Sequence, residues 1–318
     1  MNIDFAKKFS VRSAFGEALC EVARKNGDIV VLDADLACST QTKLFAKEFP
    51  ERFFDVGIAE QDMIATAAGL ASEGKIPFAA SFAVFATGRT YDQIRNSVCY
   101  PKFNVKIIGT HGGVTVGEDG ASHEALEDVG LMRGLPNMMV IVPADCAECK
   151  AAVKFASEYK GPVYIRIPRG NLPNIYDENY KFDYLKANIV KEGKDLTVFT
   201  NGETLSETIQ AGKILKDNGI DIEIVNVPVV KPIDKETILK SAKKTRLVVT
   251  VENHSVINGL GSAVCEVLSE NMPTKVLRIG VNDVFGQSGK SSELLEYYSL
   301  TANKIAEKIE KFRGNSND

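Results

Sequence analysis

Short apolar runs rich in β-branched residues alternate with helix-length segments through the first 170 residues, and no other feature constrains the fold as much. Residues 29–32, 52–56, 76–82, 105–110, 138–143 and 163–168 read as strands. Between them, segments 14–24, 62–72, 89–98 and 144–158 repeat their apolar positions at helical spacing. This alternation predicts a mostly parallel sheet with helices on both faces. Segment 171–192 interrupts it with Pro173, several Asn and Asp residues, and Tyr176, Tyr180 and Tyr184, as expected of a linker lying over a surface. A second alternation follows, with strand-like runs at 196–200, 222–227, 247–251 and 276–279 and helical runs at 203–217, 235–243 and 261–269. Two closing helices precede a tail, 313–318, that reads as disordered. The expected fold class is α/β, two doubly wound mostly parallel-sheet domains, at 1–172 and 193–318 with the linker at 173–192.

Composition narrows the function. Lys and Arg total 38 against 42 Asp and Glu, and no run is strongly basic, so a nucleic-acid footprint is absent. The longest apolar stretches, such as 29–32 and 138–142, are too short to cross a bilayer. Residues 1–10 carry lysines without an apolar stretch after them, unlike a signal peptide. Six scattered cysteines do not form a disulfide framework, which suits a reduced, cytoplasmic setting.

Ligands of open α/β sheets collect at the carboxyl ends of the strands. One such loop, Thr110-His111 through Asp119-Gly120 to His123, holds two of the three histidines, and five of residues 109–120 are glycine. That density suits close backbone approach to a ligand or positive φ, and imidazoles suit anionic oxygens or proton transfer. Glu118 stands where a phosphate-binding loop of the Walker type has lysine. The plainer alternative, a long turn around a satisfied histidine, fits one His better than this cluster. A second feature is Glu60, which opens a helix made almost wholly of small residues, 65–71, suited to a subunit interface. A carboxyl there would be poorly solvated, which favours its neutral, proton-donating form; a Glu merely facing the helix dipole is an equal alternative. Phe82 and Phe85 end a strand, as core aromatics or as a stacking surface. Arg12, Ser39 and Arg169, beside strand or helix ends, are candidate anion contacts. Cys146 and Cys149 lack the second pair a zinc site needs and read as a helix start capped by Asp145. Gly259-Leu260-Gly261 lacks the third glycine of a dinucleotide fingerprint, and His254 has no assigned role.

Taken in order, Asp33-Ala34-Asp35-Leu36, Gly57-Ile58-Ala59-Glu60-Gln61, Phe82 with Phe85, Thr110-His111, Gly117-Glu118-Asp119-Gly120 with His123, Pro143-Ala144-Asp145 and Arg169-Gly170-Asn171-Leu172-Pro173 resemble transketolase. The resemblance runs from about Ser10 to Phe312 and covers the C-terminal half of that family's usual chain, its pyrimidine-binding and C-terminal domains. It implies thiamine diphosphate, whose diphosphate such enzymes hold through Mg²⁺ on a G-D-G…N motif in another domain. No G-D-G occurs in this sequence. The resemblance therefore implies an N-terminal transketolase subunit as partner, carrying the diphosphate and Mg²⁺ site, in a heterotetramer. Glu60 would hydrogen-bond the aminopyrimidine and promote its imino tautomer; Phe85, Phe82 and Asp35 would line the cofactor. Arg12, Ser39, His111 and Arg169 would bind a sugar phosphate, while Asp119 and His123 would contact its hydroxyls, His123 also moving protons. The implied reaction carries a two-carbon ketol unit from a ketose phosphate to an aldose phosphate, as in the pentose phosphate pathway. Ala59 and Gln61 flank Glu60 where many transketolases have Arg and His, and Gly88 stands in place of an aromatic, with Tyr91 nearby. Ala59-Glu60-Gln61 and Tyr91-Asp92-Gln93 look more like deoxyxylulose-phosphate synthase or the beta subunit of a 2-oxo-acid dehydrogenase. The latter, passing an acyl group to lipoamide, is one alternative, and a non-catalytic assembly subunit is another. The pair His111 and His123 stands against the first, and the joint presence of Glu60, Phe85, His111, Asp119, His123 and Arg169 against the second.

Overall fold

A computed structural model describes residues 3–314 of the chain. Its larger sheet has seven strands, in the spatial order Val229–Lys231, Met139–Ile141, Val163–Ile167, Lys106–Thr110, Ile76–Phe82, Ile29–Asp33 and Phe53–Asp55. All are parallel except Val229–Lys231, which runs antiparallel to Met139–Ile141. Ile29–Asp33, Lys106–Thr110 and Val163–Ile167 are buried at every position. A parallel sheet covered on both faces favours such largely apolar runs, here interrupted by buried Asp33, Lys106 and Arg166. Helices Val11–Lys25 and Cys146–Glu158 pack on one face through Phe15, Leu19, Val153 and Ala156. Glu60–Ser72 and Asp128–Gly134 cover the other through Met63, Ile64 and Met132. Asp145 caps Cys146–Glu158, accepting from the Glu148 amide at 2.8 Å, as the sequence predicts.

The second sheet has five strands, ordered Lys275–Val281, Leu247–Ser255, Leu196–Thr200, Ile222–Asn226 and Asn188–Lys191, the last antiparallel. Thr204–Asp217 and Ala302–Gly314 lie on one face, Lys235–Thr245 and Leu260–Asn271 on the other. The fold is α/β, with two doubly wound, mostly parallel sheets.

Four local expectations change. The helix expected over 89–98 is wound instead as π-helical turns, Phe85–Arg89 and Ile94–Cys99, around a short α-helical turn, Tyr91–Gln93. The expected linker contributes the strand Asn188–Lys191 to the second sheet, while Asn171–Pro173 pairs with Lys8–Ser10. Its aromatics do lie over a surface: Tyr184 stacks on Phe155 at 4.9 Å, and the Tyr180 hydroxyl donates to Glu148 at 2.8 Å. Val229–Lys231, from the second half of the chain, joins the first sheet. Arg313 and Gly314 finish the helix Ala302–Gly314, and the rest of the expected tail lies outside the described residues.

Each sheet has a point near its first parallel strand where the chain reverses its direction of winding, and the first sheet reverses again where Val163–Ile167 inserts between Lys106–Thr110 and Met139–Ile141. In the first, strands flank Ile29–Asp33 with Phe53–Asp55 on one side and Ile76–Phe82 on the other; in the second, Ile222–Asn226 and Leu247–Ser255 flank Leu196–Thr200. Crevices open beyond the carboxyl ends of such pairs.

Candidate active site

The first crevice is built around Glu60, the opening residue of Glu60–Ser72, which is only 1% exposed. Its carboxylate accepts from Ser81 Oγ at 3.3 Å and from Arg89 Nη1 at 2.7 Å. The same guanidinium lies 4.6 Å over the Phe85 ring. Arg89 is the functional candidate that the sequence reading passed over. No sequence pattern marks it: the π-helical turn that sets it four residues after Phe85, a feature frequent at functional sites, shows only in the structure.

Aromatic contacts carry the crevice on to the histidines. Phe82 and Phe85 stack at 6.1 Å, the His111 ring sits 3.9 Å from Phe82, and His123 meets Phe85 edge-on at 5.3 Å. His111 is buried, with positive φ, its Nδ1 2.9 Å from the Thr110 hydroxyl. Burial, then the nearby charges of Arg12, Arg169 and His123, push its pKa down to about 3, so the ring is neutral at ordinary pH. Burial and Arg169 also lower that of Arg12, whose Nη1 donates to the Ser39 carbonyl at 2.8 Å. Arg12 Nε is buried without a hydrogen-bond partner. Arg169 Nη1 donates to the Val116 carbonyl and, at 3.3 Å, to Glu118. Mutually repelling cationic groups with an unanswered donor are the expected apparatus of an anion site.

The other expected residues fall at the rim or outside. Asp119 is exposed at the end of the turn Val114–Asp119. Asp35 is also exposed. Its amide donates to Asp55 at 3.1 Å, and no hydrogen bond or ring contact joins its side chain to Glu60 or Phe85. The buried carboxylate of that strand end is Asp33, which accepts from the Leu36 amide and from the Thr40 and Thr42 hydroxyls at 2.6–2.8 Å. Burial raises its pKa to about 6. Asp33 thereby fixes the turn that presents Ser39. Tyr91 packs into the core layer beneath Glu60–Ser72, its hydroxyl facing Gly134, while a Cβ at Gly88 would meet open space.

Gly113, Gly117 and Gly120 of the loop do take positive φ, and at Gly113 and Gly120 the close approach is made by protein. Gly113 has φ +82°, and a Cβ there would collide with the Asn253 side chain of the second sheet's domain. Gly120 makes room for Ser288 in the same way. Elsewhere, the helix N-terminus at Leu260 is closed by Glu252, whose carboxylate accepts from the Leu260 and Gly261 amides at 2.7 and 2.8 Å. His254 is buried, its Nδ1 2.7 Å from the Ser255 carbonyl. Among the described residues no group of three or more His, Cys, Asp or Glu could hold a metal ion, and no helix is long and apolar enough to cross a membrane.

Fold and crevice define a two-domain, doubly wound α/β protein whose buried glutamate, stacked rings and basic groups gather beyond the carboxyl ends of the first sheet's strands. Residues 7–174 match the family model for the transketolase pyrimidine binding domain and residues 185–305 that for the transketolase C-terminal domain, and the chain belongs to the transketolase family. It is 54% identical over 302 residues to a putative transketolase C-terminal section of Methanocaldococcus jannaschii, covering 94% of this chain and 95% of that one. It is 44% identical over 308 residues to the 6-deoxy-6-sulfo-D-fructose transketolase subunit SqwH of a Clostridium species, covering 96% of each. A solved structure described as a split gene transketolase, inactive beta4 tetramer, superposes with a TM-score of 0.89 at 51% identity, covering 95% of this chain and 98% of that one. The family implies thiamine diphosphate as cofactor. The slot between Glu60 and the Phe85 face, which the flat Arg89 guanidinium spans, fits a planar hydrogen-bonding ring.

Proposed function

We propose that this chain is the C-terminal subunit of a split transketolase, moving a two-carbon ketol unit from a ketose phosphate to an aldose phosphate when joined to an N-terminal subunit. The observation that carries the reading is the continuity of two sites. The Glu60–Phe85 slot and the Arg12–His111–Arg169 cradle meet through the 3.9 Å contact of Phe82 with His111. A ring in the slot would thus face an anion-bearing substrate in the cradle.

Bound here, thiamine diphosphate supplies an acidic thiazolium carbon and an electron sink for the transferred unit. Glu60 would hold the ring nitrogen of the aminopyrimidine and pass a proton there, with Phe85 against the ring face. Arg89 occupies that same face and the same carboxylate, so it must swing aside as the ring enters. Arg12, Arg169 and the neutral His111 would hold the substrate's terminal anion, with Ser39 at its edge. Asp119 and His123 would contact sugar hydroxyls, His123 moving the hydroxyl proton. Asp35 would touch the cofactor only after a shift of its turn.

Mg²⁺ and the diphosphate belong to the partner in this reading, and the uncovered Ala65, Thr66 and Gly69 face of Glu60–Ser72 suits a subunit interface. A heterotetramer, a cytoplasmic location, the pentose phosphate sugars and the division at 1–172 and 193–318 are parts of the same proposal. All six cysteines are free, as the location requires. A tagged pull-down from native lysate tests it. The eluate should contain a second chain bearing G-D-G and transfer ketol from xylulose 5-phosphate to ribose 5-phosphate with thiamine diphosphate and Mg²⁺. Decarboxylation of a 2-oxo acid without ketol transfer would replace this reading with the dehydrogenase one.

A further inference from the structure

The second sheet's crevice contains protein, not open space. Glu203 follows Leu196–Thr200 and Asn253 lies near the end of Leu247–Ser255, so both stand at its switch point. Both are buried. The Val114 amide donates to Asn253 Oδ1 at 3.0 Å, and Asn253 Nδ2 donates to Glu203 at 2.6 Å. The Thr115 hydroxyl donates to the same Glu203 oxygen at 2.9 Å, and Ser291 Oγ donates to the Thr115 carbonyl at 2.9 Å. Buried Arg166 ties the two domains again, donating to the carbonyls of Ala125 at 3.0 Å and Asn253 at 2.9 Å. The occupant is segment 113–115, between His111 and His123. Asn253 and Glu203 hydrogen-bond segment 114–115 and each other, and neither bonds Arg12, His111 or Arg169.

We propose that Asn253 and Glu203 are positioning residues, and that the second domain uses the crevice where its fold would bind a ligand to set the histidine loop for the anion. The inference rests on the proposed substrate cradle. Its mechanism is the fixing of backbone at 113–115. Buried, mutually satisfied hydrogen bonds hold a segment to one geometry because each lost partner leaves another stranded. Gly113 is glycine so that the Asn253 amide can reach the Val114 N–H.

The test uses the full chain, alone and assembled with its partner. With only three histidines, the His111 and His123 ring signals can be followed by NMR as inorganic phosphate is added to the chain alone. Asn253→Ala should weaken phosphate binding about tenfold, the scale of one buried hydrogen bond. It should also move the His111 titration up toward the ordinary histidine range as the loop loosens. In the assembled enzyme KM for the phosphorylated sugar should rise by a similar factor with kcat little changed. Glu203→Gln keeps the accepting oxygen and should stay near wild type. Thr115→Val removes one donor at almost constant shape and carries the test if Asn253→Ala does not fold. Wild-type phosphate affinity and an unmoved His111 titration in a folded variant would overturn the clamp. Weakened phosphate binding in a chain whose wild-type assembly never transfers ketol would uphold the clamp and overturn the proposed reaction instead.

Discussion

At the first switch point Arg89 is nearly half exposed and Arg12 Nε has no hydrogen-bond partner. At the second, Glu203 and Asn253 are buried, and their polar side-chain atoms are directed at a loop from the other domain. The two sheets share a winding, and each opens a crevice beyond its strand ends. One crevice leaves donors waiting for a ligand, and the other has been filled by its neighbour. Topology places a cleft, then, but the side chains at its lip decide whether it is a site or a bracket.

The sharpest way to break this contrast is Glu60→Ala. Turnover of the assembled enzyme should fall by at least about a hundredfold, the scale of a lost proton-transfer group, with the fold kept. Near-normal turnover would empty the first crevice of its chemistry. Next in size, His111→Ala or Arg169→Ala should raise KM for the sugar phosphate roughly tenfold, with a smaller change in cofactor affinity. The opposite pattern in steady-state kinetics would put the anion elsewhere. Arg89→Gln should tighten thiamine diphosphate binding a few-fold by calorimetry, because a half-exposed ion pair and cation–π contact are worth little. Weaker binding would show that Arg89 assists the ring and does not compete with it.

The smallest effect separates site from junction by pH. His111 titrates near 6.5 when unfolded and about 3 when folded. In that window the unfolded chain binds more protons, so stability falls as pH drops through it. His111→Gln should flatten that acid limb in denaturant midpoints. Glu148, buried where the linker tyrosines meet the second sheet, has the opposite sign. Its pKa is raised from 4.5 to about 7, so the folded chain holds the extra proton and stability declines as pH rises between them. Glu148→Gln should remove that decline and leave phosphate binding unchanged.

Most central strands were legible because a parallel strand buried on both faces is largely apolar, as Ile29–Leu32 is and as Val163–Ile167 is apart from Arg166. Three-residue Val229–Lys231 has too little sequence to announce itself, and its pairing depends on a distant edge. The site was legible where chemistry concentrates, at His111, His123 and Glu60. Sequence does not say which of Asp33 and Asp35 turns inward; the structure buries Asp33 and leaves Asp35 exposed. Arg89 was hidden by the π-helical turn, which a helical pattern does not reveal. Asn253 and Glu203 carry no local signature at all. Their meaning comes only from a loop about 139 and 88 residues away in sequence.

The loan of Val229–Lys231 to the first sheet has a consequence for dividing the chain. Each domain reads as a self-contained module, yet one holds the other's edge. Removing the second half would take Val229–Lys231 away with it and leave Met139–Ile141 as an open edge that could pair with another chain. The two halves therefore share one sheet edge, and a cut within 173–228 would leave the first half without its covering strand.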